Sequence, residues 1–267
     1  MPTTRSSPEN EPHRQRQMAE SFGTDPERYH RTRPRYPDEM VARIVAESPG
    51  RDVLDVGVGT GIAARQFKDA GCEVYGVDVD DRMAELARRD GIEVEVSAFE
   101  TWDPAGRTFD AVVSAQTWHW VDPIAGPVKA AQVLRPGGRL ALFWNVFEPP
   151  AHLGKALAEV YRRVMPDIPA YGQSGSAVAA YSALLGKVTD GIRAAGAFSE
   201  PEQWRYEWER HYTRDEWLEQ VPTHGGHSRL SPERQKELLD GIGAALDAQG
   251  GGFTMHFDVL VLTTTRT

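Results

Sequence analysis

Between residues 51 and about 147, short β-branched and aliphatic runs alternate with stretches of helical period, the pattern of successive βα units around a parallel sheet. Strands are predicted at Asp52–Val56, Glu73–Val77, Ile92–Val96, Phe109–Ala115 and Arg139–Asn145. Helices are predicted between them, at Ile62–Ala70, Arg82–Arg89 and Pro123–Leu134. Pro136-Gly137-Gly138 is expected to end the last helix and turn the chain into the fifth strand. The runs VLDV, VYGV and AVV show no polar alternation, as strands buried on both faces need none.

A second texture begins at Glu148. Helical stretches at Leu153–Val164 and Lys187–Ala195 flank a Gly/Ser/Ala-rich segment around Tyr171–Ala180. Trp204–Tyr212 alternates as a strand does, and its Trp204, Tyr206 and Trp208 read as sheet-face packing. Thr213 with Glu216 forms a capping-box pattern, and Ser231-Pro232 places an N-cap ahead of a proline at the first helical position. Gly250-Gly251-Gly252 leads into a final strand, Phe253–Thr264. The chain is therefore expected to divide into a leader (1–20), lid helices (21–50), a core (51–147), a cap (148–200) and a C-terminal part completing sheet and cap (201–267).

Composition narrows the function class. The 267 residues carry 30 basic and 39 acidic side chains, net −9, which argues against a nucleic-acid surface. Cys72 is the single cysteine, so no internal disulfide forms and a reducing, cytoplasmic setting is expected. No apolar run is long enough for a membrane span or a signal peptide, and the opening MPTTRSSPENEPHRQRQ reads as a disordered leader.

The most informative segment is Val53-Leu54-Asp55-Val56-Gly57-Val58-Gly59-Thr60-Gly61. A buried strand runs into three alternate glycines and then a helix. Glycines there permit a sharp turn and let a ligand lie against bare main chain, while the helix start leaves N–H donors for it. Asp78 ends the next strand, 21 residues after Gly57, a spacing that suits a carboxylate accepting both hydroxyls of a ribose. That much describes any nucleoside site, NAD(P)-dependent oxidoreductases included. The dinucleotide pattern G-x-G-x-x-G/A, however, would put its last small residue on Ile62, whose bulk fits poorly there.

Here the sequence resembles the class I S-adenosylmethionine-dependent methyltransferases, in particular the small-molecule type 11 group. The likeness continues through Ser97-Ala98-Phe99-Glu100, through Phe109–Gln116 and through Val133-Leu134-Arg135-Pro136-Gly137-Gly138, five motifs in order. Arg33-Pro34-Arg35-Tyr36-Pro37, His119-Trp120 and Trp144-Asn145 are similar to a narrower group that includes trans-aconitate-methyltransferase-like proteins. The resemblance implies a Rossmann-like α/β fold: a seven-stranded mixed sheet of order 3-2-1-4-5-7-6, five parallel strands plus an antiparallel C-terminal pair, with helices on both faces and a helical cap. It implies S-adenosylmethionine as cofactor, leaving S-adenosylhomocysteine, and contacts to it from Tyr29, Arg33, Asp55, Gly57, Val58, Gly59, Asp78, Val79, Met83, Ala98, Phe99, Glu100, Ala115 and Gln116. Val58 departs mildly from the family, where Ala or Cys is common.

Trp118-His119-Trp120 follows the fourth strand and should lie near the transferable methyl. Aromatic faces attract a sulfonium by about 0.5–2 kcal/mol each. His119 is the candidate base or substrate positioner, and Trp118, Trp120, Tyr36 and His224 are candidates for the substrate pocket. Packing of both tryptophans beneath the next helix is an equal alternative. Arg33 and Arg35 are candidates for orienting an anionic acceptor. His224-Gly225-Gly226-His227 lacks a third ligand nearby, so no metal is expected. The expected partner is a small molecule, with no nucleic acid or membrane, the protein acting as monomer or homodimer. A non-catalytic cofactor-binding protein of the same fold remains the other alternative.

Overall fold

A computed structural model of the chain describes residue 13, residues 20–166 and residues 177–267. Most of the expected leader, and part of the Gly/Ser/Ala-rich segment, lie outside the described residues.

Two helices precede the sheet: α1 (Pro26–Thr32), whose N-cap Asp25 accepts from the Arg28 amide, and α2 (Asp38–Ala46). Then come β1 (Asp52–Val56), α3 (Ile62–Asp69), β2 (Glu73–Asp78), α4 (Asp81–Arg89), β3 (Glu93–Val96), β4 (Phe109–Ala115), α5 (Ala125–Val133) and β5 (Leu134–Glu148). The remainder is α6 (Ala151–Val164), α7 (Ala177–Ala195), β6 (Glu202–Thr213), α8 (Arg214–Gln220), α9 (Pro232–Asp247) and β7 (Gly252–Thr265).

The seven strands form one sheet of order β3-β2-β1-β4-β5-β7-β6. β1 to β5 are mutually parallel, and β7 is antiparallel to both β5 and β6. The C-terminal pair is thus antiparallel within itself, while β6 runs in the direction of the first five. The expected mixed sheet is what the chain forms.

Alternate residues of the central strands separate onto two faces. Leu54, Val56, Val112, Leu140, Leu142 and Trp144 join one buried cluster, which Leu185, Val188 and Ile192 of α7 complete. Val53, Ala111, Val113, Ala141 and Phe143 join the other, against Met40 and Ile44 of α2 and Phe67 of α3. A third core lies at the far ends of β6 and β7, where Leu157 and Tyr161 of α6 meet Trp217 of α8 and Leu238 and Ile242 of α9. The capping box at Thr213 and the Ser231 cap form as their patterns require.

Two boundaries differ from the sequence expectation. β5 begins at Leu134 directly after α5, because Leu134 pairs with Phe109 before the register shifts ahead of Ala111. Gly137, at φ +76°, absorbs that irregularity inside the strand, so Pro136-Gly137-Gly138 is not a separate turn. α7 extends back from the expected Lys187 to Ala177; its apolar stripe of Leu185, Val188 and Ile192 packs on the sheet and outweighs the weak propensity of Ser182 and Gly186. Among the described residues, no helix is long and apolar enough to cross a membrane.

Candidate functional site

The C-terminal ends of β1, β2 and β4 open into a cavity of about 520 Å³, within the range of small-ligand sites. Its floor is the strand-to-helix turn. Gly57, Gly59 and Gly61 all hold positive φ, at +73°, +55° and +82°. A Cβ on Gly57 would sit 2.1 Å from Thr117 Cγ2, so the loop and the end of β4 approach more closely than any side chain allows. A Cβ on Gly59 would meet Met83 Cε at 3.6 Å and Gly57 O at 4.0 Å, both ordinary contacts, and the residue lines the cavity.

The main chain of the turn is bare of side chains, but most of its amides are already engaged. The Gly57 and Val58 amides donate to Val77 O, the Gly61 amide to Val58 O, and the Gly59 amide to Asp78 Oδ2 at 2.7 Å. Four of the loop's amides are therefore engaged within the protein, where the glycines supply space; among the described residues no such partner is seen for the Thr60 amide, and the first turn of α3 adds its own donors.

Asp78 Oδ1 also accepts the Asp80 amide at 2.9 Å. Burial pushes the Asp78 carboxyl up, while these amide contacts pull it back. A carboxylate offers about four acceptor sites, more than these contacts use, and Asp78 lines the cavity. Asp55 is placed differently. Its side chain is fully buried, does not line the cavity, and neither oxygen has a hydrogen-bond partner among the described residues. Burial, then the nearby Asp78 charge, pushes its carboxyl up to about 7. Thr60 Oγ1 is likewise buried and unpartnered.

Along one wall lie Val79, Met83, Ala98, Phe99 and Glu100, with Ala115 and Gln116 beside them. Gln116 holds φ +59°, unusual for a residue with a side chain, while its Nε2 donates to Asn145 O at 2.9 Å. From the pre-sheet segment, Tyr29, Arg33 and Tyr36 reach the cavity. The Arg33 guanidinium lies 4.8 Å over the Tyr29 ring and donates to Thr223 O at 2.5 Å, which ties this segment to the loop after α8. Buried Tyr36 packs edge-on to Phe143 at 4.8 Å.

The turn Trp118–Trp120 divides its three rings. His119 and Trp120 line the cavity, whereas Trp118 is buried against Phe99 at 5.9 Å and does not. Within a single 3₁₀ turn, adjacent side chains leave in different directions, so Trp118 belongs to the core. Arg35 also falls outside, two-thirds exposed and 4.0 Å from Asp69. His224 lines the cavity with its Nε2 3.3 Å from Gln220 Nε2. His227 does not; its ring bridges His224 O at 3.1 Å and Tyr161 Oη at 3.1 Å, both nitrogens serving the cap core.

Burial alone pushes His119 down to about 4, so its ring is neutral at pH 7. Trp144 Nε1 donates to its Nδ1 at 3.3 Å. Sequence reasoning missed Phe22, Thr117, Asn145, Phe147, Tyr181 and Gln220, all of which line the cavity. Of these, only Asn145 carried a signal, as part of the Trp144-Asn145 pair.

Residues 54–142, a third of the chain, match the family model described as "Methyltransferase domain". Over these residues the chain is similar to the methyltransferase domains of the type 11 group. Uncharacterized methyltransferases of Mycobacterium tuberculosis and Mycobacterium bovis are 36% identical over 151 residues, 55% of this chain and 61% of theirs. The chain thus spans less than two thirds of those relatives' length. A demethylmenaquinone methyltransferase of Tropheryma whipplei is 33% identical over 110 residues, covering 38% of this chain and 44% of the relative. Among solved structures, one from Anaeromyxobacter dehalogenans, provisionally assigned as a type II methyltransferase, aligns at TM-score 0.61 and 22% identity. It covers 86% of this chain and 97% of that one, and at that identity it shows the fold alone.

Proposed function

We propose that the chain transfers a methyl group from S-adenosylmethionine to a small-molecule acceptor. The observation that carries this reading is Asp78, closing the end of β2 with one oxygen on the Gly59 amide and lining a cavity floored by bare glycine backbone. The domain match and the relatives' names support it. The residues fit the group. Asp78 would hold the ribose hydroxyls, Met83 and Ala98–Glu100 the adenine, the glycine loop the methionine portion, and Tyr29 with Arg33 its carboxylate end.

Bound there, the cofactor supplies an electrophilic methyl on a sulfonium. The chain's own work is to align the acceptor and exclude water, which suffices for an in-line displacement. Trp120, Phe22 and Tyr29 make one aromatic wall, with ring centroids 6.4 Å and 6.2 Å from Phe22, and Tyr181 and Phe147 bring further rings from α7 and β5. The pre-sheet helices serve as lid and the segments after β5 as cap in this reading. It takes the protein as a cytoplasmic monomer or homodimer acting on free metabolites; the lone buried Cys72 supports the reducing setting, and the net charge of −9 supports an acceptor other than nucleic acid.

The test incubates the protein with methyl-tritiated cofactor and fractionated host metabolites. Label entering a small molecule is the expected result. An oxidoreductase would instead show thermal stabilisation by NAD(P) and none by S-adenosylmethionine, and that outcome would retire the proposal.

A further inference from the structure

His119 has been considered so far only as a group lining the cavity; its hydrogen bond to Trp144 says more. An indole N–H can only donate, so the imidazole nitrogen 3.3 Å from Trp144 Nε1 must present a lone pair. That nitrogen is Nδ1, and the single proton of the neutral ring therefore sits on Nε2. Trp144 is wholly buried in β5, within the core cluster on one face of the sheet, and has no room to turn away. Protonating His119 would set an N–H against an N–H in a buried place, a cost of the size of an unsatisfied buried donor. Among the described residues no charged group offsets this: burial alone accounts for the ring's displacement toward the neutral form. With Nδ1 committed to the core, Nε2–H is the atom His119 has for a ligand in the cavity it lines.

We propose that His119 is a hydrogen-bond donor to the acceptor molecule, locked in its Nε2–H tautomer by Trp144, and that it takes no proton during the reaction. This rests on the methyl-transfer reading above. The acceptor's electron pair forms the new bond to the methyl carbon while the sulfur–carbon bond breaks, its pair remaining on sulfur as a thioether. Any proton the acceptor atom carried leaves to water and not to His119. The acceptor is accordingly a molecule with a carbonyl, carboxylate or other lone-pair oxygen for Nε2–H, and with a nucleophilic atom that attacks without help from this imidazole. His119 positions; Trp144 acts through it.

The decisive experiment is ¹⁵N NMR of histidine-labelled full-length protein, with the His119 signals identified by their loss in His119→Gln. The Nε2–H tautomer is expected from pH 8 down to pH 5, with a mixture of tautomers or a charged ring appearing in Trp144→Phe. An Nδ1–H ring, or an imidazolium forming near pH 6.5 in the wild type, overturns the proposal. This readout needs no turnover, so it stands apart from any failure of the methyl-transfer reading. Where a labelled metabolite fraction is in hand, His119→Gln, whose amide N–H₂ can donate but cannot accept a proton, should exceed His119→Ala by about tenfold in kcat/KM, the worth of one hydrogen bond. Both variants should bind S-adenosylhomocysteine alike; equal loss of turnover in the two, with that binding retained, also overturns it.

Discussion

Gly57→Ala puts the close approach of β1 and β4 to a quantitative test. The residue sits at φ +73°, where a side chain costs about 1–2 kcal/mol. The new Cβ would also lie 2.1 Å from Thr117 Cγ2 and 2.6 Å from both Cβ and Oγ1, so no rotation of Thr117 clears it. The Thr117 hydroxyl is moreover held by Ala115 O at 3.0 Å and Gly57 O at 3.3 Å. Relieving such an overlap in packed surroundings costs about 1–3 kcal/mol. The two terms together give a loss of about 2–5 kcal/mol, measurable by urea unfolding of the cofactor-free protein. Thr117→Gly vacates all three atoms, so the double variant should recover the overlap term but not the dihedral term. A double-mutant cycle is therefore expected to show a coupling of about 1–3 kcal/mol. A Gly57→Ala cost below about 0.5 kcal/mol, or strict additivity with Thr117→Gly, would refute the reasoning.

Asp55 makes stability depend on pH. Its folded-state carboxyl is raised from an ordinary value of 3.8 to about 7, so its ionisation burdens the folded protein above pH 7 and the burden fades as pH falls toward 4. Asp55→Asn should therefore gain most over wild type at pH 8 and lose that advantage by pH 4; urea midpoints at several pH values check this, and a pH-independent difference would count against it. Tyr161→Phe deletes the hydroxyl 3.1 Å from buried His227 Nε2 and should cost about 1–3 kcal/mol in the same assay, with no change in cofactor affinity. Tyr181→Ala strips an aromatic wall that the cap contributes; KM for the acceptor should rise severalfold while calorimetry finds cofactor affinity within twofold of wild type.

Much of this was legible in the residues because the relevant signals are local. The glycine loop, the acid ending the second strand, and the caps at Thr213 and Ser231 each depend on neighbours within a few positions, and all appear where expected. Strand order came only through the family resemblance, since periodicity carries no information about which strands pair. The acceptor side of the cavity was harder. Tyr181, Phe147 and Gln220 converge from α7, β5 and α8, far apart in sequence, and each is an ordinary apolar or polar residue of its own element. Trp118 and Trp120 look equivalent on paper, yet one turn of 3₁₀ geometry sends the first into the core. Arg33 and Arg35 share a Pro-spaced motif, and only tertiary contact with Tyr29 and Thr223 separates the inward from the outward one. The engagement of the loop amides with Val77 and Asp78 was invisible for the same reason: it depends on how β2 sits against β1.

Isothermal titration of S-adenosylmethionine into the full chain, beside Asp78→Ala, tests the central claim most directly. A single site of micromolar affinity or better is expected, weakened by at least about tenfold in the variant, the loss of a charged hydrogen-bond acceptor at the sugar. Absence of binding to the wild type, or equal affinity in the two proteins, would contradict it.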